Sequence, residues 1–493
     1  MVRRIARILL MLAAFAVGGF IVLVLIGLWS RYEQTTAGYE RKNPDARMPL
    51  EATRSQQAQS LQEGSKLVGT SVVENANHGM SVAVSADGRT VVVGGPGPNN
   101  VDRDRSPLVG PAGAAWVFTQ RRGVWTEQGK LVGITSQHGG GLWSQGASVA
   151  LSADGKTAIV GGPSDDGATG AAWVFTLGGE GWMQQGNKLV GSGPYKPNES
   201  QLSPGQGVSV ALSADGKTAL IGGWRTEGAW IFNRNGGVWT QQGKKLVGSG
   251  AVGSARQGMA VALSADGNTA LVGGPADNSY IGAAWVFTRT GGVWTQQGKK
   301  LVGSGAGARA RQGTSVALSA DGHTAILGGP DNDSSDRARP FGFGPAGAAW
   351  VFTRSESVWM QEGQKLVSTG TSGNARQGTS VALSADGNLV ALGGLANDAG
   401  IGAVSLFTRT AGQWMQVKDL AGIGAVVKSA SSVALSADGN LVVIGAADDN
   451  RGIGATWVFT RKPSGSDEHA GHALCREYPN NILPCSTSVS NAE

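Results

Sequence analysis

Ser264-Ala265-Asp266-Gly267 joins the apolar run Met259-Ala260-Val261-Ala262-Leu263 to a second one, Thr269-Ala270-Leu271-Val272. Neither run has helical periodicity, and an Asp-Gly pair between two apolar runs predicts a hairpin with a type I′ turn. The same Ser-Ala-Asp-Gly occurs seven times, with its aspartate at Asp87, Asp154, Asp215, Asp266, Asp321, Asp386 and Asp438. Successive aspartates lie as close as 51 residues (Asp215 to Asp266) and as far apart as 67 (Asp87 to Asp154). That spacing holds four short strands per repeat and varies too much for a helical solenoid. The fold class is therefore all-β, a seven-bladed β-propeller of four-stranded blades.

In the fourth repeat the expected strands are A (259–264), B (269–273), C (283–288) and D (293–302), with Gly291-Gly292 turning C into D. Trp285 and Phe287 share one face of strand C and should pack against the neighbouring blade. Trp116, Trp173, Trp230, Trp350 and Trp457 fill the same place in other repeats, and Trp125, Trp182, Trp239, Trp294, Trp359 and Trp414 recur in strand D. Recurrence in nearly every repeat marks these indoles as packing residues. Trp143 and Trp224 lie off the pattern and are candidate ligand contacts.

The last repeat lacks a D strand. The missing piece lies at the other end of the chain, where Lys66-Leu67-Val68-Gly69 matches Lys245-Leu246-Val247-Gly248. An N-terminal strand is therefore expected to close the ring and cover an open sheet edge. Strand direction sorts the connections. The A–B and C–D turns share one face and are tight, whereas the B–C and D–A loops share the other and carry every long insertion, which makes that second face the candidate functional surface.

Residues 8–29 are uncharged and long enough to span a bilayer, behind a short basic segment with Arg3, Arg4 and Arg7. The expected organisation is a membrane anchor over 1–30, a flexible tether over 31–60, the propeller over 61–462 and a tail over 463–493. The basic N-terminus places residue 1 in the cytoplasm and the propeller on the exported side of the inner membrane, as a single-pass protein; secretion after cleavage of a signal is the alternative. Both cysteines, Cys475 and Cys485, lie in the tail, and export predicts a disulfide between them. A net charge of +6 with 15% charged residues gives no basic stretch suited to nucleic acid.

Residues 258–275, followed by Ala-Ala-Trp-Val-Phe-Thr-Arg at 283–289 and Trp-Thr-Gln-Gln at 294–297, resemble the bacterial FG-GAP repeat, related to the integrin α-chain propeller. The resemblance covers about 400 residues in seven copies. It implies a ligand face formed by the D–A and B–C loops. The calcium loop of integrin repeats would fall between strands A and B, where this chain has only Ala-Asp-Gly, so that calcium function does not carry over. Acidic residues in the B–C loops, such as Asp165-Asp166, Asp277, Asp331, Asp333, Asp398 and Asp448-Asp449, read as Asx caps of their own turns, with Ca2+ as the alternative; no cofactor is otherwise expected.

Function then divides three ways. The first reading is an anchored, exported interaction module, monomeric, that takes a protein or an anionic glycan of the cell envelope on its loop face. The second is a propeller enzyme, a hydrolase or lyase acting on envelope polysaccharide; yet Ser-Ala-Asp-Gly matches a sialidase Asp box poorly, and the singular polar residues His78, His138, Glu199 and Glu227 compose no nucleophile, base and orienting group on spacing. The third is a passive subunit of an envelope complex. The candidate ligand-binding residues are those two positions before the glycine that opens strand A, or before Ala430. They are Arg256, Arg311, Arg376 and Lys428 in four consecutive blades, against Asn77, Ser144 and Gly205 in the others. An electropositive arc attracting an anionic partner is one reading; local pairing with B–C loop carboxylates is the other.

Overall fold

The computed structural model describes residues 60–62, 66–72, 74–97, 113–134, 144–193, 204–225, 227–331, 346–369, 375–394, 404–421, 425 and 430–461. They form seven antiparallel four-stranded sheets, each with strand order A-B-C-D. Blade four shows the pattern: A is Ala260–Leu263, B Thr269–Gly274, C Ala283–Thr290 and D Val293–Gln296. In blade seven, A, B and C are Ser432–Leu435, Leu441–Ala446 and Ala455–Arg461, and the fourth strand of that sheet is Ser60–Gln62, with Ser60 opposite Arg461.

The Ser-Ala-Asp-Gly turns face the central axis and link the blades to one another. The N–H of Ala86 donates to the carbonyl of Ala153, Ala153 to Ala214, Ala214 to Ala265, Ala265 to Ala320, Ala320 to Ala385, Ala385 to Ala437, and Ala437 back to Ala86, at 2.9–3.1 Å. The seven peptides make a closed circle of hydrogen bonds. Each turn is held rigid by its own side chains: in blade four the Ser264 hydroxyl donates to Asp266 Oδ1 (2.5 Å) and accepts from the Thr269 N–H (2.9 Å), while Asp266 Oδ1 also accepts from the Asn268 N–H (2.9 Å). Burial, the largest single influence on Asp266, raises its pKa, but the Ser264 hydroxyl, both Asn268 donors and the Arg289 charge together hold it below the ordinary carboxylate value.

This bonding explains a departure from the expected turn type. Only Gly267 is left-handed (φ 68), and its N–H returns to the Ser264 carbonyl, so the A–B turn is not type I′. The type I′ turns sit instead between C and D, where Gly291 (φ 58) and Gly292 (φ 80), Gly236 (φ 55) and Gly237 (φ 86), and Ala411 (φ 50) and Gly412 (φ 73) are left-handed in pairs. Strand D is also shorter than expected. It stops at Gln296, the chain bends at Gly298 (φ 70), and Leu301 returns to strand C by a single bridge to Ala284. Leu67 makes the same bridge to Thr456 in blade seven.

The core is divided among the junctions between blades. Trp173 packs with Val92, Ala115 and Val117 of the preceding blade, and Trp285 with Leu220, Ala229 and Ile231. Burying an indole removes roughly 200 Å² from water, an upper bound of about 5 kcal/mol for each. Among the described residues several of these indoles lie against a glycine. A Cβ on Gly133, Gly191, Gly248 or Gly303 would collide with Trp173, Trp230, Trp285 or Trp350, whose Nε1–H donates to the carbonyl of the residue after that glycine. Blade six has Ser405 in the tryptophan's place, and the glycine's place is taken by Ser368; the two hydroxyls bond at 2.7 Å.

Among the described residues no helix is long and apolar enough to cross a membrane. Residues 8–29, Cys475 and Cys485 lie outside the described residues.

The glycine requirement is testable. Gly303→Ala should cost about 2 kcal/mol in chemical denaturation, within the range for overpacking. Gly129→Ala, whose Cβ would meet only Trp182 at 4.0 Å, should be nearly neutral. Equal midpoints for the two variants would refute the steric account.

Candidate functional site

The face bearing the B–C and D–A loops is built on a hydrogen-bonded frame. The residue before the glycine that opens strand A is a buried glutamine in blades two to six, and its amide clamps the end of the preceding D–A connection. Gln257 Oε1 accepts from the Gly248 N–H (2.6 Å), and its Nε2 donates to the Gly248 carbonyl (2.9 Å). Gln145, Gln206 and Gln312 repeat both bonds, and Gln377 accepts from the Ser368 N–H. Blade one has His78 there. Its Nε2 accepts from the Gly69 N–H (3.2 Å), its ring packs on Trp116 (5.0 Å between centroids), and its buried Nδ1 has no partner. Burial pushes the His78 pKa down to about 3 from 6.5.

Three B–C loops, Asp165–Ala168, Asp277–Tyr280 and Asp449–Gly452, share a tight turn with consecutive left-handed residues and a buried first aspartate. Each of these carboxylates is held by the lysine of a Lys-Leu-Val-Gly segment: Lys188 on Asp165, Lys300 on Asp277 (2.5 Å) and Lys66 on Asp449 (2.8 Å). Asp277 Oδ1 also accepts from the Val252 N–H (2.7 Å). Removing one of these lysines would strand a buried charge. Among the described residues no three His, Cys, Asp or Glu side chains converge as metal ligands would.

The singular Glu227 is buried and engaged within the fold. It accepts from the Ser254 hydroxyl (2.6 Å), the Arg256 N–H (2.9 Å) and the Gln257 N–H (3.2 Å). His138, Glu199, Trp143, Lys428, Asp333 and Asp398 lie outside the described residues. Trp224 is half-buried on the B–C loop of blade three, with the Arg225 guanidinium 4.3 Å from its ring centroid. Its indole lies where a Cβ on Gly205 would stand, which explains glycine at that place.

Arg256, Arg311 and Arg376 are left-handed, with φ of 56, 57 and 45, and so are Asn77, Ser144 and Gly205 in blades one to three. Glycine and asparagine suit that conformation, and arginine is put there against its backbone preference. Arg311 Nε meets Asp331 Oδ2 at 3.0 Å, and Arg376 Nη2 meets Asp331 Oδ1 at 2.6 Å, so one carboxylate is shared by guanidinium groups of two successive blades. Arg311 and Arg309 also stack on Tyr280, at 5.3 and 5.8 Å from its centroid. Arg256 is exposed and has no ion-pair partner among the described residues. The local-pairing reading thus describes Arg311 and Arg376 in part, because Asp331 offsets only one of their two charges.

Tyr280 and Arg309 are absent from the candidates chosen by spacing. Tyr280 is one of only 5 tyrosines in the chain and stands where the matching loops carry Ala168 and Gly452, a signal present in the sequence. An open cavity of about 540 Å³ lies elsewhere, at the outer rim between strands D of blades four and five, lined by Lys299, Trp359 and Gln361 among others. Its walls are mostly repeat residues, so we place the candidate site at the arginine cluster instead.

Fold and site together define the class: a seven-bladed β-propeller whose loop face is polar and unevenly charged around the ring. No protein-family model and no curated protein matches the chain. Among solved structures it is similar to a candidate 6-phosphogluconolactonase of Bacteroides fragilis NCTC 9343, at 16% identity and TM-score 0.48, covering 77% of this chain and 98% of that one. A candidate 6-phosphogluconolactonase of Bacteroides uniformis ATCC 8492 matches at 14% identity and TM-score 0.48, covering 76% and 98%. The Kuenenia stuttgartiensis hydrazine synthase matches at 13% identity and TM-score 0.47, covering 77% and 95%. These likenesses concern the fold alone.

The His78 clamp gives a pH prediction. The folded pKa lies below the unfolded one, so unfolded chains bind an extra proton between about pH 6.5 and 3, and stability falls as pH drops through that window. His78→Gln restores the amide clamp of the other blades. It should flatten the melting temperature between pH 7 and 5 relative to wild type; parallel profiles would show that His78 does not titrate on unfolding.

Proposed function

We propose that this chain is an FG-GAP-like, membrane-anchored and exported propeller that binds an anionic partner of the cell envelope through its B–C/D–A loop face. The observation that carries the reading is arginine at left-handed positions in three consecutive blades, 256, 311 and 376, where the other blades carry Asn77, Ser144 and Gly205. A residue held against its backbone preference points to a use for its side chain. The opposite face offers only tight turns whose polar groups are bonded to one another, and long loops on a rigid frame are where recognition resides. The anchor is assigned to residues 8–29, Lys428 extends the arc, Trp143 and Trp224 flank it, and a Cys475–Cys485 disulfide closes the tail.

We further assign the segment from Ser60 to Gly69 as the piece that completes blade seven. The pairing of Ser60–Gln62 with Ala455–Arg461, the Leu67 bridge to Thr456 and the Lys66–Asp449 ion pair support this assignment. A chain starting at Thr70 loses all three, and its melting temperature should fall well below that of one starting at Gln57; coincident melts would remove the closing role.

The binding role is tested by combining Arg256→Ser, Arg311→Ser and Arg376→Ser. Capture of partners from native membranes should drop and lose its salt sensitivity, since the arc acts through charge. Unchanged capture with unchanged salt dependence would eliminate the arc as the binding surface.

A further inference from the structure

We propose that the cluster of Arg311, Arg376, Asp331, Tyr280 and Arg309 is a binding site for the carboxylates of an acidic polysaccharide, a polymer of uronic-acid sugars. The inference rests on the loop-face reading above and gives that face a ligand class.

Charge is the first argument. Arg311 and Arg376 share one carboxylate, and Arg309 joins Arg311 over Tyr280, which leaves two positive charges without an internal counterpart among the described residues. Asp331 is 16% exposed in its side chain, whereas Arg311 is 43% and Arg376 36% exposed, so the excess charge faces outward over an inward anion. Geometry is the second. Arg376 reaches Asp331 through Nη2 alone, and its buried Nε has no hydrogen-bond partner. Arg311 meets the same carboxylate through its Nε. Guanidinium and carboxylate pair best as two parallel bonds, and Asp331 satisfies neither arginine in that way. A second carboxylate brought in from outside would meet the part of each arginine side chain that stays exposed.

The arrangement around the ring selects a polymer. A cationic position recurs once per blade at Arg256, Arg311 and Arg376, and aromatic faces recur beside the cations, Trp224 with Arg225 and Tyr280 with Arg309 and Arg311. A uronic-acid polymer offers both a carboxylate and a flat C–H face in each sugar, and so can engage guanidinium groups and aromatic rings along one chain. An acidic peptide would match the guanidinium groups and leave the aromatic faces unused.

The test uses the full-length protein in detergent with three probes: polygalacturonate, neutral dextran and poly-glutamate. Polygalacturonate should bind and weaken as salt rises, dextran should not bind, and poly-glutamate should bind more weakly. Arg311→Ala with Arg376→Ala should reduce polygalacturonate affinity by at least about tenfold, the loss of two charge-assisted contacts. Arg311→Lys with Arg376→Lys keeps the charge and the fold while removing both forks, and a several-fold loss is expected there too. No binding of polygalacturonate by the wild type, or full binding by the lysine pair, overturns the site. Poly-glutamate bound as tightly as polygalacturonate overturns the polysaccharide in favour of an acidic protein segment. If polygalacturonate fails while the triple serine variant still loses capture from membranes, this inference falls and the loop-face function stands; if that variant also keeps its capture, both fall.

Discussion

Seven alanine peptides hydrogen-bonded in a circle are the constraint on which the rest of the molecule depends. A chain of blades can in principle form an open arc, but the bond from Ala437 to Ala86 requires the seventh turn to arrive at the first with the same geometry as every other pair. All seven turns must then have the same shape, and the serine and aspartate of each repeat supply it by fixing the turn from within. Each of these carboxylates is engaged through its Oδ1 in holding its own turn.

A second constraint operates further out, where Trp116, Trp173, Trp230, Trp285 and Trp350 of strand C each lie over a glycine of the preceding connection. Blade six shows that the two positions form one unit. Replacing the indole by Ser405 leaves room beside it, and Ser368 fills that room with a hydroxyl that bonds to Ser405, while Asp419 accepts from Ser405 at 2.6 Å. A buried hydroxyl left alone would be destabilising, so the polar substitution had to be made at both positions. Blade one departs in a related way: His78 keeps the acceptor of the glutamine clamp but has no donor where the amide would place one, and gains a ring contact with Trp116 instead.

Much of this was legible in the chain. The repeat of Ser-Ala-Asp-Gly announces seven blades, apolar runs mark strands A to C, and recurrent tryptophans mark their packing faces, because all three depend on residues close in sequence. Less legible were features that join distant residues. Lys66 meets Asp449 across 383 positions, and Arg376 shares Asp331 with Arg311 although neither spacing suggests it. The alanine circle was invisible for the same reason, since nothing in Ala-Asp-Gly itself reveals that its peptide reaches the next blade. The Asp-Gly dipeptide alone suggests a type I′ turn; its serine, whose hydroxyl bonds the aspartate, makes the A–B turn a different one.

The shortness of strand D has a consequence for the molecule at high concentration. The outermost strand of each blade is a sheet edge, and edges invite other chains to add to them. Here the regular part of that edge is only Gly181–Gln184, Val238–Gln241, Val293–Gln296 and Val358–Gln361 in four of the blades, after which Gly186, Gly243, Gly298 or Gly363 turns the backbone left-handed. A neighbouring edge could pair over a few residues and would then lose register. At those four blades the rim therefore resists the lateral zippering that leads to aggregates, whereas Val124–Leu131 and Gln413–Leu420 in blades one and six leave longer regular edges.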